Sequence, residues 1–349
     1  MRKVLKWVGR IILLFIVLLG IVVAVHYHGD IPRAELQKKY TYEESRFIEV
    51  EGMQVHYRTV GQGQPLVLIH GTNASLHTWE AWTDILSKDY EVISVDLPGY
   101  GLTGPHPKQD YSLDAYMEFL RKFLKAAGLD RVYMAGSSFG GNLTWNYALK
   151  YPKQISKMVL VDPSGYPFKE DDILLAFKLM NHPIMGKASE YVTPKWLVRQ
   201  SLRKSFGDEK FVTEEMVNRY YELLLSEGNR KAAAQRIQNF SIGDNWKKLN
   251  TIKTPTLILW GDKDQLIKVE NAKRFAEDMP NADLILYKDI GHLPMEEVAE
   301  ESAQHTKDFL EKSMLGIEPP SAPPAESGEA EAPADIVEEP TEEAPTETE

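Results

Sequence analysis

The chain has 349 residues, a formal charge of −11, no cysteine, 43% apolar residues and 10% aromatics. That supplies a packed core of about 250 to 300 residues and is too apolar for a chain disordered throughout. Without cysteine there is no disulfide framework, no thiolate metal site and no cysteine nucleophile, so covalent chemistry falls to Ser, Thr, Lys or a carboxylate. Eleven of the 51 acids lie in residues 317–349, which hold no Lys or Arg, so the rest is balanced at 40 acids against 40 bases. A balanced body with no basic cluster beyond the first ten residues argues against nucleic-acid binding.

The two ends differ from the middle. Arg2, Lys3, Lys6 and Arg10 precede the apolar run IILLFIVLLGIVVAV at residues 11–25, with Trp7 and Tyr27 at its flanks. As a helix those fifteen residues span about 22 Å, and a snorkelling Arg10 extends this to about 27 Å against a hydrocarbon core of ~30 Å. Residues 1–28 are therefore expected to be an uncleaved membrane anchor, with a cleaved signal peptide as the alternative. In both readings the basic flank stays in the cytoplasm and everything after Val25 faces outward. At the other end, residues 316–349 are Pro, Ala, Glu and Thr with few large apolar groups, so they read as a disordered acidic tail.

After a linker at 29–44, RFIEVEG and QVHYRTVG read as two half-buried strands joined at Glu51-Gly52. PLVLIHG is a buried strand, followed by a helix at 79–87, then by EVISVD, a helix at 112–127, RVYMAG, a helix after Ser138, and SKMVLVDPSG. The alternation resumes with TPTLILWGD, a helix at 269–279, ADLILYKD and a last helix at 296–312. Continuous apolar strands separated by helices predict an α/β fold with a mostly parallel sheet covered on both faces. The alternation breaks at 165–246, where DDILLAFKLM, TPKWLVRQSLRKSF and EEMVNRYYELLLSEGNRKAAAQRIQNF follow one another without a strand. That is too long for a loop and predicts a helical subdomain, with Met180, Met185, Trp196, Tyr220, Tyr221, Leu223, Leu224, Leu225 and Phe240 as its own core.

Chemistry concentrates where strands end. Residues 136–140 spell G-x-S-x-G between a strand and a helix. A chain turning that sharply exposes the Ser138 hydroxyl at the carboxyl edge of the sheet, with the helix N-terminus behind it. Serine is a weak nucleophile, so a base and an orienting acid must come from elsewhere. His292 follows the final strand in a Gly-containing loop, and Asp264 follows the preceding strand, with Asp262 and Asp162 as alternative acids. The turn after PLVLI, His70-Gly71-Thr72-Asn73, offers the Thr72 amide, which pairs with the Phe139 amide as oxyanion donors worth ~3 kcal/mol each. His70 and the DLPGYG turn at 96–101 read as architectural.

These motifs together, from HG after a strand through DxPGxG, GxSxG and GDxD to the terminal GH, resemble the α/β-hydrolase fold family over residues 46–312. The resemblance implies a core at 45–164 and 247–315, a cap at 165–246, and a triad of Ser138, Asp264 and His292 with a pocket between cap and sheet. It implies no cofactor and no metal. Epoxide hydrolases and haloalkane dehalogenases of the family use an aspartate nucleophile where Ser138 stands, which leaves esterases, lipases and carbon–carbon bond hydrolases of diketo acids. In the last group a Trp commonly follows the catalytic His, whereas here it is Leu293. The expected function is hydrolysis of lipophilic carboxylic esters through an acyl-enzyme. Carbon–carbon hydrolysis is the alternative, and a non-catalytic binding module the alternative of another class. The expected partners are a small lipophilic ester and, through the N-terminal helix, a membrane. Acceptor sequons at Asn73 and Asn142 fall on the catalytic turns, so a bacterial periplasmic side is the expected location.

Overall fold

The computed structural model describes residues 27–167, 178, 180–239 and 241–312, with residues 4, 6–8, 10–14, 17 and 20 near the N-terminus. Chain order runs α1 (Arg33–Tyr40), β1 (Ser45–Val50), β2 (Met53–Val60), β3 (Gln64–Ile69), α2 (Glu80–Leu86), β4 (Tyr90–Val95), α3 (Leu113–Ala126), β5 (Val132–Ser137), α4 (Phe139–Lys150) and β6 (Ile155–Val161). Among the described residues α5 (Pro183–Ser189), α6 (Lys195–Ser205), α7 (Glu214–Leu224) and α8 (Asn229–Gln238) follow without a strand of the sheet. The chain then returns through β7 (Thr256–Gly261), α9 (Glu270–Asp278), β8 (Ala282–Tyr287), α10 (Pro294–Glu297) and α11 (Ala299–Glu311).

The eight strands form one sheet in the order β1-β2-β4-β3-β5-β6-β7-β8. β1, β2 and β4 pair antiparallel, and every later junction is parallel. Glu51 and Gly52, with φ of 53° and 80°, make the left-handed two-residue turn that a right-twisted hairpin needs. The central parallel strands β3, β5, β6 and β7 are mostly apolar and almost wholly buried because both faces are covered. Val67 and Ile69 of β3 pack with α3, α4 and α9, whereas Leu66 and Leu68 pack with α2 and α11. This is the mostly parallel, helix-flanked α/β sheet that the alternation predicted. Every parallel strand also points its carboxyl end to the same edge, where His70, Ser138, Asp162, Asp264 and His292 follow β3, β5, β6, β7 and β8.

The helical insertion departs from expectation in two respects. The long stretch from Glu214 onward is two helices, α7 and α8, broken at Gly228, which takes φ 80° against Pro105. Nor, among the described residues, do the insertion's apolar residues form a core of their own. Leu202, Phe206 and Val217 join the cluster on one sheet face, and Leu223 packs with Leu36 of α1 and with Leu102. Met185 and Trp196 are exposed. α1 lies within the stretch read as a linker, and its Lys39 pairs with Glu222 of α7 at 2.7 Å. Most of DDILLAFKLM, Phe240 and the acidic tail lie outside the described residues.

The expected single-pass membrane topology is corrected. Among the described residues no helix is long and apolar enough to cross a membrane. The fifteen-residue apolar run reaches about 22 Å by itself, and only a snorkelling Arg10 brought it near the ~30 Å needed; of that run only residues 11–14, 17 and 20 are described. The expected single-pass location, with the N-terminus inside and the rest of the chain outside, is withdrawn with the anchor.

Candidate active site

The turn from β5 into α4 is the most constrained backbone in the site. Ser138 takes φ 55° and ψ −114°, a region a non-glycine residue adopts only where its surroundings compel it. Here the Ser138 amide donates to Val161 O at 2.9 Å, and its carbonyl accepts from Asn142 and Ser164, each at 3.0 Å. The flanking glycines are required by contact. A Cβ on Gly136 would lie 2.2 Å from Gly140 O, and one on Gly140 would lie 2.1 Å from Ile69 O. The turn leaves Ser138 partly accessible while Ser137 and Phe139 are buried.

The turn after β3 abuts this serine, since a Cβ on Gly71 would be 3.1 Å from Ser138 Cβ. Ala74 N donates to Gly71 O at 3.3 Å, and Asn73 takes φ 58°. His70 braces the turn from beneath. Leu97 N donates to His70 Nε2 at 3.0 Å, so in this ring Nδ1 carries the proton and donates to Gly71 O at 2.7 Å. Burial pushes the His70 pKa down, which keeps the ring neutral in that tautomer. Asp96 of the DLPGYG turn accepts from Leu76 N and Leu102 N, each at 2.8 Å, and pairs with His56 Nδ1 at 2.7 Å. Both motifs are therefore architectural, as their sequence suggested. The buried His56–Asp96 pair was missed, because no local pattern links two residues forty apart.

Phe139 is held from two sides. The Arg236 guanidinium of α8 stacks on its ring at 3.6 Å from the centroid, and Tyr116 meets it edge-on at 5.1 Å. The insertion thus touches the residue directly after Ser138.

Asp264 and His292 come together as their chain positions predicted. His292 Nδ1 lies 2.6 Å from Asp264 Oδ2, and each residue is 4% exposed. Asp264 Oδ1 accepts from Leu266 N at 2.7 Å and Ile267 N at 2.9 Å. A carboxylate only accepts, so in the neutral imidazole Nδ1 holds the proton and Nε2 keeps its lone pair. No hydrogen bond joins Ser138 Oγ to the ring among the described residues, a contact that in unliganded sites often tightens only when substrate binds. Asp262, the alternative acid, is spent on the next turn, accepting from Asp289 N at 2.7 Å.

The His292 loop is tied to the insertion. His292 N donates to Ser205 O at 2.7 Å, and Glu297 accepts from both Gly291 N at 2.7 Å and Gly207 N at 2.9 Å. Sequence reasoning missed Glu297, whose partners are one backbone amide from its own loop and one from the distant insertion. Asp162, Asp264 and His292 each offer an atom within 4.8 Å of the others, a spacing that could also suit a metal ion. The pairing of Nδ1 with Oδ2 already engages two of those groups, which suits proton chemistry instead.

A sheet edge carrying a strained serine, a glycine turn packed against it and a buried imidazole–carboxylate pair defines a hydrolase of the α/β class. The alpha/beta hydrolase fold profile matches residues 64–298, and the chain belongs to that family. It is similar to Lipase 1 of Psychrobacter immobilis, 30% identical over 71% of this chain and 77% of that one. It is also similar to the 2-hydroxy-6-oxo-6-phenylhexa-2,4-dienoate hydrolase of Comamonas testosteroni, 26% identical over 73% of this chain and 91% of that one. Among solved structures, a meta-cleavage product hydrolase from Pseudomonas fluorescens IP01 superposes with a TM-score of 0.67 at 24% identity, over 76% and 97% of the two chains. At that identity the likeness is one of fold.

Proposed function

We propose that the chain is a serine hydrolase of carboxylic esters with lipophilic acyl groups. Ser138 attacks the ester carbonyl, His292 takes its proton through Nε2 and returns it to the leaving alcohol, and Asp264 holds the imidazole in the required tautomer. The amides of Thr72 and Phe139 receive the oxyanion. Water then attacks the acyl-enzyme, with His292 again as base. The observation that carries this reading is the strained, accessible Ser138 beside the oxyanion turn, on the same sheet edge as the 2.6 Å pair of Asp264 and His292.

In this reading the helical insertion is the cap, and the substrate lies between it and the sheet. A cavity of about 10 Å³ marks that junction, lined by Asn73 and Tyr100 from the core and by Tyr220, Leu223 and Leu224 from α7. Leu293 after the histidine and the likeness to Lipase 1 favour an ester. A second reading, carbon–carbon hydrolysis of diketo acids, is favoured by the likeness to the dienoate hydrolase and by the cationic Arg236 stacked on Phe139. The discriminating experiment assays p-nitrophenyl esters of increasing chain length beside a 2-hydroxy-6-oxo-dienoate. A kcat/KM that rises with acyl length and exceeds that for the dienoate supports the ester reading, and the reverse order assigns the carbon–carbon reaction.

A further inference from the structure

The mechanism leaves one buried acid of the site unused. Asp162 ends β6 at φ 44°, fully buried, a left-handed conformation that a non-glycine residue keeps only under constraint. Its Oδ1 accepts from Gly261 N at 3.1 Å. Its Oδ2 is buried and accepts no N–H or O–H from the described residues. One Asp162 carboxyl oxygen lies within 4.8 Å of both an oxygen of Asp264 and a ring nitrogen of His292.

Two ionised carboxylates so close in a buried site repel, and a single proton between them converts repulsion into an O–H···O⁻ bond. That proton would also give Oδ2 the partner it lacks. Asp264 is a poor host for it, because its two oxygens already face three N–H donors, from Leu266, Ile267 and His292. Burial first, and then the charge of Asp264, push the Asp162 carboxyl well above the usual carboxylate range. The titratable groups facing Asp162 are Asp264 after β7, Tyr287 on β8, His292 after β8 and Glu297 on α10.

We propose that Asp162 is a positioning residue of this site, donating its proton to Asp264 in the resting enzyme and taking over the orientation of His292, as a carboxylate, when Asp264 is removed. The proposal rests on the triad reading above. In the second state the proton of Asp162 leaves to solvent, and His292 Nδ1–H donates to Asp162 instead.

The test compares kcat/KM of Asp162→Asn, Asp264→Asn and the double variant as a function of pH. Asp162→Asn alone lowers kcat/KM about fivefold and Asp264→Asn about a hundredfold, whereas the double variant falls by the ~10⁴ expected of a histidine with no acid. The double loss then exceeds the product of the single losses, as it must if one acid stands in for the other. In Asp264→Asn the acidic limb of the pH profile moves up by at least about one unit, because Asp162 serves only once ionised. Equal activity in Asp264→Asn and the double variant, or an Asp264→Asn profile that overlays wild type, overturns the proposal. The profile of Asp264→Asn carries the test by itself should the double variant not fold. Labelling with a fluorophosphonate runs alongside. Labelling that survives Ser138→Ala would undo the triad reading itself, while labelling confined to Ser138 leaves that reading standing whatever the acids do.

Discussion

Gly140→Ala tests whether the nucleophile turn and the oxyanion turn are held together by backbone contact. The added Cβ would sit 2.1 Å from Ile69 O, 2.6 Å from His70 O and 2.7 Å from Ile69 C. None of these is a side chain that can swing away. Reaching even the 3.0 Å floor of real Cβ contacts opens the gap between α4 and the end of β3 by about 0.9 Å. Such overpacking costs about 2 to 3 kcal/mol, which lowers the melting temperature by roughly 5 to 10 °C for a domain of this size. The same displacement moves the Thr72 amide relative to Phe139, and a misplacement near 1 Å costs about 10²-fold in rate. Gly128→Ala is the control. Gly128 has φ 72° with nothing within 4 Å of its Cβ position, so it incurs only left-handed strain of about 1 to 2 kcal/mol and no loss of turnover. Thermal melts and kcat for p-nitrophenyl butyrate measure both effects. A Gly140→Ala enzyme that melts and turns over like wild type would show that the two turns are not coupled through this contact.

Three further outcomes follow from the same geometry. Ser138→Ala should keep the wild-type melt and lose essentially all turnover, leaving a residual rate of ~10³ to 10⁴ over water from the oxyanion amides; ester hydrolysis at wild-type level in that variant would remove Ser138 from the mechanism. Asp262→Asn should leave kcat within about twofold and cost under ~1 kcal/mol, because Asp262 only accepts from Asp289 N at an exposed turn; a kcat loss near that of Ser138→Ala would make it the acid. Burial pushes the Glu296 carboxyl up to about 7, against the hydrogen bond from Thr78, which pulls it down. The folded state therefore holds a proton that the unfolded chain releases, so this contribution to stability is complete below pH ~4.5 and is lost as pH rises through about 7. Glu296→Gln should flatten that window and gain about 2 to 3 kcal/mol over wild type at pH 8 in urea melts; parallel stability curves for the two proteins would refute the assignment.

Much of the fold was legible because it rests on local periodicity. β3, β5, β6 and β7 carry mostly apolar runs and are buried at every position but Gln64, as a strand covered on both faces requires. Glu51-Gly52 marks the hairpin, and Ser112, which accepts from Ala115 N at 3.3 Å, marks the start of α3. The elbow was legible for the same reason, since the glycines flanking Ser138 answer to steric contact within one turn.

The sequence by itself thus determined the strand order, the helices between the strands of the parallel sheet, the place of Ser138 and the chain order of Asp264 and His292, each of which depends on neighbours a few residues apart. Tertiary structure alone decided the rest. It showed that α7 and α8 are separate, that Leu202, Phe206 and Val217 of the insertion join the sheet's core, that Glu297 ties the His292 loop to Gly207, and that Asp162 lies against Asp264 and His292. Those facts arise where strand ends distant in sequence converge on one edge of the sheet. Burial then sets which acid keeps its proton, and no pattern along the chain records which groups will share a desolvated space.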